Sequence, residues 1–318
     1  MLDVLTITLN PAIDQTVYID DFGVDKVNRV KTLQNDAAGK GVNVASYLAS
    51  SQLNVGVAGF LGSKNSKVFE ELFSKLDIDN RFVYLEDETR VNVKIVDKKN
   101  STVTDVNQAG FEISLENLEK LEKLLFTKKE ANWYVFSGSL PKGLSNDIYK
   151  KWIEKSHELG IKVALDASNE ALISAVEAKP DLIKPNHYEL AQLMKTNKVY
   201  EIDEVLQVSS KLIKDGIETV CVSMGEDGAL IINKDEAYHA VALKAEVNTT
   251  VGAGDALLSG LIFSIIKEKS LKESIKIATT YSLSALKTVG AYLSNKEELE
   301  KLSNDVKIVQ IKLDKQNL

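Results

Sequence analysis

The sequence predicts an α/β protein in which helices flank a mostly parallel sheet and a small β subdomain stands beside it. Three observations lead there. From Trp133 onward, short β-branched runs alternate with amphipathic helical stretches, the pattern of βαβ units. The first 110 residues instead hold extended, alternating segments separated by polar turns. A chain of 318 residues with 44% hydrophobic content can bury one large core or two smaller ones, and no repeat, low-complexity tract or Pro-rich linker divides it.

In chain order, Val4 to Leu9 reads as a buried strand, Gly41 to Ser50 as a helix, Val55 to Phe60 as a strand and Ser66 to Leu76 as a helix. Tyr18 to Val30, Arg81 to Asp97 and Thr102 to Asn107 read as extended segments of hairpins standing off the main sheet, with Asp97-Lys98-Lys99-Asn100 as a turn. The later strands are expected at Trp133 to Ser137, Lys162 to Asp166, Leu182 to Lys184 and Thr219 to Ser223. Helices are expected over Ser145 to Leu159, opened by a capping serine, and over Ile202 to Lys214; Gly160 and Gly216 stand at their ends. Gly254 to Ile266 and Leu271 to Lys287 read as two more. One domain over residues 1–318 is expected, its β lid built from segments near 14–34 and 86–110.

Charge and composition exclude several classes. A net charge of −7 with no basic face argues against nucleic-acid binding, which depends on clustered Lys and Arg. The lone Cys221 allows no internal disulfide, and His157, His187 and His239 have no zinc spacing. A reducing, cytoplasmic setting is the expectation, because the apolar start lacks a basic n-region and meets Asn10-Pro11 early, and no apolar run reaches the ~20 residues that span a bilayer.

The strongest chemical signal is Thr249-Thr250-Val251-Gly252-Ala253-Gly254-Asp255-Ala256. Small residues before an apolar helix leave backbone N–H groups and the positive dipole end open to an anion, and Asp255 beside that anion could accept a proton. The plain alternative is a turn whose aspartate stabilises the helix start. The same dipole is expected to keep Asp255 ionised and make it a weak base, which phosphoryl transfer tolerates better than enolisation does.

A second cluster, Ala37-Ala38-Gly39-Lys40-Gly41-Val42-Asn43, fits neither the P-loop nor the dinucleotide fingerprint. It is either a close backbone approach to a polar ligand, with Lys40 and Asn43 in reach, or a turn with a solvated lysine. The chain has only three arginines, Arg29, Arg81 and Arg90, among 39 basic residues. Arg29 and Arg90 fall in the β subdomain, where a planar guanidinium would suit a phosphate or simply face solvent. Lys184-Pro185-Asn186 with Glu189 ends a strand and opens a helix; Asn186 and Glu189 could hold Mg²⁺ through water there or form a helix cap. Ser223-Met224-Gly225-Glu226-Asp227-Gly228 could line a nucleotide pocket or be a β-turn. Ser137-Gly138-Ser139 lacks the Gly-x-Ser-x-Gly setting of a hydrolase nucleophile.

Taken in order, Asn10-Pro11-Ala12-Ile13-Asp14, Ala38-Gly39-Lys40-Gly41-Val42-Asn43, Lys184-Pro185-Asn186 with Glu189, Ser223 with Gly225, and Val251-Gly252-Ala253-Gly254-Asp255 resemble the motifs of the ribokinase-like, or pfkB, carbohydrate kinases over nearly the whole chain. The resemblance implies a ribokinase-like three-layer core and ATP-dependent phosphoryl transfer. Ala37 to Gly41, Thr89-Arg90-Val91-Asn92-Val93-Lys94, and Thr104 to Asn107 followed by Gly110-Phe111-Glu112 are most similar to members acting on fructose 1-phosphate; tagatose 6-phosphate or another ketohexose phosphate is the alternative acceptor.

By the same resemblance Asp255 would be the base and Gly252, Ala253 and Gly254 the anion hole. Asp14, Gly39 and Asn43 would hold sugar hydroxyls, and Lys40, Arg90 and Ser139 would lie near the sugar phosphate, with Lys26 and Arg29 as helpers from the lid or a neighbouring subunit. Lys184, Asn186, Ser223, Gly225 and Gly228 would contact ATP, and Glu189 would organise Mg²⁺. A homodimer through the lid is implied. Many relatives carry an aspartate where Thr249 stands, so the resemblance does not carry potassium activation over. A sugar-phosphate binder without activity is the competing class, but binding alone needs no base beside an anion hole.

Overall fold

The structure, a computed structural model, describes residues 1–195, 201–241, 252–288 and 290–313. In chain order the strands are β1 (Leu2–Thr8), β2 (Ala12–Ile19), β3 (Thr32–Ala38), β4 (Val55–Gly62), β5 (Asp79–Leu85), β6 (Val91–Asp97), β7 (Thr102–Val106), β8 (Ala131–Ser137), β9 (Lys162–Asp166), β10 (Leu182–Ile183), β11 (Thr219–Ser223), β12 (Ala229–Ile232), β13 (Ala237–Val241) and β14 (Lys307–Ile311). The helices are α1 (Lys40–Ser50), α2 (Lys67–Leu76), α3 (Leu115–Phe126), α4 (Ile148–Glu158), α5 (Asn169–Val176), α6 (His187–Leu193), α7 (Ile202–Lys214), α8 (Ala253–Ile266), α9 (Leu271–Lys287) and α10 (Lys296–Asp305).

Ten strands form the main sheet in the order β14-β13-β12-β11-β10-β9-β8-β1-β4-β5. Pairing is parallel from β11 through β5 and antiparallel among β11, β12, β13 and β14. The central strands are buried on both faces, and alternate residues serve the two halves of the core. Leu5, Ile7, Tyr134, Phe136, Val163 and Leu165 pack under α3, α4, α5 and α7, with Trp152 fully enclosed. Val4, Val57, Val135 and Ala164 pack under α1, α2, α8 and α9.

α8 is buried almost all round because it lies between the sheet, α1 and α9. Gly260 is what allows α9 to approach: a Cβ there would fall 2.5 Å from the Ala278 Cα. Gly260→Ala is therefore expected to cost about 1–3 kcal/mol through overpacking, read as a lower urea midpoint at unchanged slope.

The lid sheet has the order β3-β2-β6-β7. Two antiparallel hairpins join through a parallel β2–β6 seam, which pairs Asp14 with Asn92. Two expectations require correction here. The extended segment read over Tyr18 to Val30 ends at Ile19, and its partner is Thr32–Ala38. Polar residues on both faces of β3 hide the strand period, and the Asp-rich stretch after Ile19 turns instead. Asp97 anchors that turn, its carboxylate accepting from the amides of Asp21 (3.1 Å) and Phe22 (2.7 Å).

The segment Arg81 to Asp97 likewise divides: β5 completes the main sheet beside β4, and only β6 belongs to the lid. The crossing is pinned at Thr89, whose Oγ1 accepts from Gly62 N (2.9 Å) and whose N donates to Asn65 Oδ1 (2.8 Å). The helix read from Ser145 begins at Ile148, after a turn in which Ile148 N donates to Ser145 O. Lys162–Asp166, Thr219–Ser223, Ile202–Lys214 and Leu271–Lys287 stand where the sequence places them. Gly160 and Gly216 close α4 and α7 at φ 66° and 113°.

Candidate active site

The order of the main sheet reverses at β1, which has β4 on one side and β8 on the other. In open α/β sheets the crevice beyond the carboxyl ends of the strands at such a reversal is where ligands bind. The sequence motifs converge there. Asn10 follows β1 and Ser139 follows β8, and Asn10 Nδ2 donates to Ser139 Oγ across the gap (3.2 Å). Along the same edge come Asp166 at the end of β9, Lys184 after β10 and Ser223 at the end of β11.

α8 starts at this edge. Its N-cap, Gly252, sits at φ +84° and supplies no side-chain cap, so the first amides of the helix point outward without an intrahelical partner. Asp255, in the first turn, is only 7% exposed, and Asn43 Nδ2 donates to its Oδ2 at 2.8 Å. Burial, followed by the negative charge of Asp166, pushes the Asp255 carboxyl up to about 6, against the pull of Lys40, Asn43 and Lys184. This direction is opposite to the one expected from the helix dipole: desolvation and the Asp166 charge raise the Asp255 carboxyl. Val251 and Thr249-Thr250, with the cation question attached to Thr249, lie outside the described residues.

Around Asp255 stands a buried charge cluster centred on Asp166, which the motif reading missed. Asp166 is 1% exposed; its Oδ1 accepts from Lys40 Nζ at 2.9 Å, and its Oδ2 lies 3.4 Å from Lys184 Nζ. Burial pushes the Asp166 carboxyl up, but the two ammoniums outweigh it and hold it below its usual range. The reverse balance raises Lys40, where burial is overcome by Asp166, Asp255 and Glu189. Lys40, expected beside the sugar phosphate, thus stands between the acidic groups. Lys184 reaches α8: a Cβ on Gly254 would lie 3.5 Å from its Nζ.

On the lid side, Asn92 Nδ2 donates to Asp14 Oδ1 (3.1 Å). Burial raises the Asp14 carboxyl, partly offset by Asn92, Lys94 and Arg90. The Arg90 guanidinium donates to three main-chain carbonyls: Nε to Pro11 (3.2 Å), Nη1 to Gln108 (2.9 Å) and Nη2 to Asn10 (3.0 Å). It ties β6 to the loop after β1 and leaves two of its five N–H groups for an anion. Gly39, at φ +122°, opens α1 beside Pro11; a Cβ there would lie 3.0 Å from the Pro11 Cα. Lys26 and Arg29 are not brought to the cluster: both are exposed in the segment after β2, and the Lys26 ammonium lies 4.0 Å from Asp21.

On the other side, Asn186 caps α6 in a reciprocal box. Glu189 N donates to Asn186 Oδ1 (2.8 Å) and Asn186 N to Glu189 Oε2 (2.9 Å). The structural reading of this pair therefore holds, and Glu189 keeps its other oxygen. Ser223 N donates to Pro185 O (3.0 Å), and Gly225 and Gly228, at φ 61° and 88°, shape the following turn.

For Mg²⁺ the donor set consists of hard carboxylate oxygens, as that ion prefers. Among the described residues no group of three or more His, Cys, Asp and Glu could hold a metal ion alone. Asp166 Oδ2, which has the Lys184 ammonium 3.4 Å away but no well-formed hydrogen bond, and the remaining oxygen of Glu189 fit an ion carried on phosphate, which takes one or two carboxylates and keeps water.

The profile of the pfkB family carbohydrate kinases matches residues 7–298. The chain is 36% identical over 316 residues to a 1-phosphofructokinase of Haemophilus influenzae, covering 98% of this chain and 99% of the relative. It is 37% identical over 310 residues to a 1-phosphofructokinase of Rhodobacter capsulatus, covering 96% and 98%. The solved structure of phosphofructokinase-2 from Escherichia coli in complex with fructose 6-phosphate superposes with a TM-score of 0.86 at 22% identity, covering 96% of this chain and 99% of that one, and shares the fold.

Proposed function

Because the chain belongs to the pfkB family of carbohydrate kinases, we propose that it phosphorylates fructose 1-phosphate with MgATP, giving fructose 1,6-bisphosphate and ADP. The observation that carries this reading is Asp255: a buried carboxyl raised to about 6, beside an uncapped helix start. The names of its relatives supply the sugar.

In this reading the C6 hydroxyl of the sugar gives its proton to Asp255 as its oxygen bonds the terminal phosphorus of ATP. The bond from that phosphorus to the ADP oxygen breaks in the same event. The amides of Gly252, Ala253 and Gly254 receive the migrating phosphoryl group, whose loose transition state needs placed donors more than covalent help. Asn43 holds Asp255 in orientation through the 2.8 Å bond. Asp14 and Gly39 take the sugar hydroxyls, while Arg90, Ser139 and Lys40 face its phosphate, with Lys26 and Arg29 added by lid closure or a second subunit. Lys184, Asn186, Ser223, Gly225 and Gly228 receive the nucleotide. Glu189 and Asp166 would hold Mg²⁺, largely through water, and the ion would neutralise phosphate charge.

The lid closes over the cleft and excludes water. A homodimer formed through it would cover the exposed Val24 (89%), Val27 (82%), Leu33, Val103 and Val106. Light scattering that returns a monomer removes that part.

A coupled ADP-release assay across fructose 1-phosphate, fructose 6-phosphate, tagatose 6-phosphate and ribose tests the function. The highest kcat/KM is expected with fructose 1-phosphate; a rate no higher than without sugar sinks the reading, and a preference for tagatose 6-phosphate replaces the acceptor. Arg90→Lys is expected to raise KM for the sugar phosphate by about tenfold or more, because an ammonium cannot keep three carbonyl bonds and still meet an anion. An equal rise in KM for ATP would place Arg90 elsewhere.

A further inference from the structure

Tyr47 lies on α1 one turn beyond Asn43, so both side chains leave the same face of the helix toward the start of α8. Asn43 reaches Asp255. Tyr47 reaches Gly252: a Cβ at that glycine would stand 3.2 Å from the Tyr47 hydroxyl oxygen. The tyrosine is 1% exposed, and its ring is held among Ala256 of α8 and Tyr281 and Ala285 of α9. Tyr281 is itself fixed by a 2.9 Å hydrogen bond with Ser51 on α1. Three helices thus set the position of the phenol.

No described residue forms a hydrogen bond with the Tyr47 hydroxyl, although buried tyrosines normally find a partner for this group. The oxygen is not sealed in the core either. It opens where Gly252 has no side chain, beside the amides that α8 leaves unpartnered. Burial, then the negative charge of Asp255, holds the phenol proton in place, so the group there is a donor. A fixed O–H to which no described residue offers an acceptor, beside an uncapped helix start, suits an anion.

We propose that Tyr47 is a catalytic residue whose phenolic O–H donates to a non-bridging oxygen of the migrating phosphoryl group, adding a side-chain donor to the amides of Ala253 and Gly254. The proposal rests on the phosphoryl site assigned to that helix start under the proposed function. Tyr47 keeps its proton throughout; the proton of the sugar goes to Asp255. Because the phenol cannot move, its bond is strongest when the phosphoryl group is midway between the two oxygens, which raises kcat rather than ground-state affinity.

Tyr47→Phe in the full chain keeps the ring and deletes the oxygen. Removing one placed donor is expected to lower kcat by about a hundred- to a thousandfold, with KM for ATP and for the sugar phosphate moving by less than about twofold. The thermal midpoint and MgADP affinity should match wild type. Affinity for aluminium fluoride in the presence of MgADP and fructose 1-phosphate, a mimic of the planar phosphoryl group, should fall by the same factor as kcat. An unchanged kcat and unchanged fluoride affinity would overturn the proposal. So would a lower kcat that accompanies a lower midpoint while fluoride affinity holds, since that is the signature of packing alone. Wild-type protein that neither turns over fructose 1-phosphate nor traps the fluoride would remove the parent reading and this one with it; an active wild type with an indifferent Phe variant removes Tyr47 only.

Discussion

Asp255→Asn is expected to lose at least roughly a hundredfold in turnover, the scale set by removing a positioned general base. Affinity for the nucleotide, measured by calorimetry, should be largely retained. The amide keeps the shape of the carboxyl and an oxygen to accept from Asn43, so the loss falls on proton transfer. In the wild type, kcat/KM should rise with pH through about 6 and level off above it, because only the ionised carboxylate accepts the proton.

Stability supplies an independent sign. The folded value, about 6, is above the ordinary 3.8, so ionised Asp255 disfavours the folded state, fully so above pH 6. The Asn variant should therefore be at least as stable as wild type at pH 8, and wild type should gain on it as pH falls from 6 toward 4. A variant that turns over near the wild-type rate would take the role of base away from Asp255. A variant much less stable at pH 8 would contradict the burial argument.

Asp166→Asn should have the second largest effect. Asp166 faces two ammoniums, Lys40 and the buried Lys184, and its removal leaves them without their common counter-charge. Losing one partner of a buried ion pair costs about 3–5 kcal/mol, with the isosteric amide expected at the lower end. The folded Asp166 carboxyl is held below its ordinary 3.8, so the stability it contributes is complete above that value and is lost as pH falls through the lowered one. The gap between wild type and variant in urea unfolding should accordingly be widest near neutrality and narrow in acid.

Activity should fall as well, and the acid limb of the pH profile should move below 6, since the second-largest cause of the raised Asp255 value is the Asp166 charge. A limb that stays at 6 in the variant would mean that burial alone sets Asp255. Equal stability of the two proteins at pH 7 would show that the ammoniums find other partners.

Much of this could be read along the chain because the relevant physics is local. The α8 start is legible in Gly252-Ala253-Gly254, where missing side chains bare the amides, and the α6 cap in Asn186 with Glu189 three residues on. Buried parallel strands such as Thr219–Ser223 announce themselves as short β-branched runs between helices. β3 did not, because a polar lid strand has no buried face to impose a period of two. The edge strand β5 reads with the lid segments because alternation along Asp79–Leu85 says nothing about which sheet accepts it.

Asp166 carried one faint signal, an acidic residue at the carboxyl end of a strand, with no motif around it. Tyr47 carried none, since an aromatic residue on the inner face of a helix reads as core. The sequence by itself determined the strand–helix alternation after Trp133 and the two glycine-rich helix starts, since each follows from neighbours along the chain. Only the tertiary structure decided the acidity of Asp255, the partners of Lys40 and Arg90 and the aim of the Tyr47 hydroxyl. These depend on desolvation and on charges brought within a few ångströms from β9, β10 and α1, and neither burial nor through-space distance is a property of a stretch of sequence.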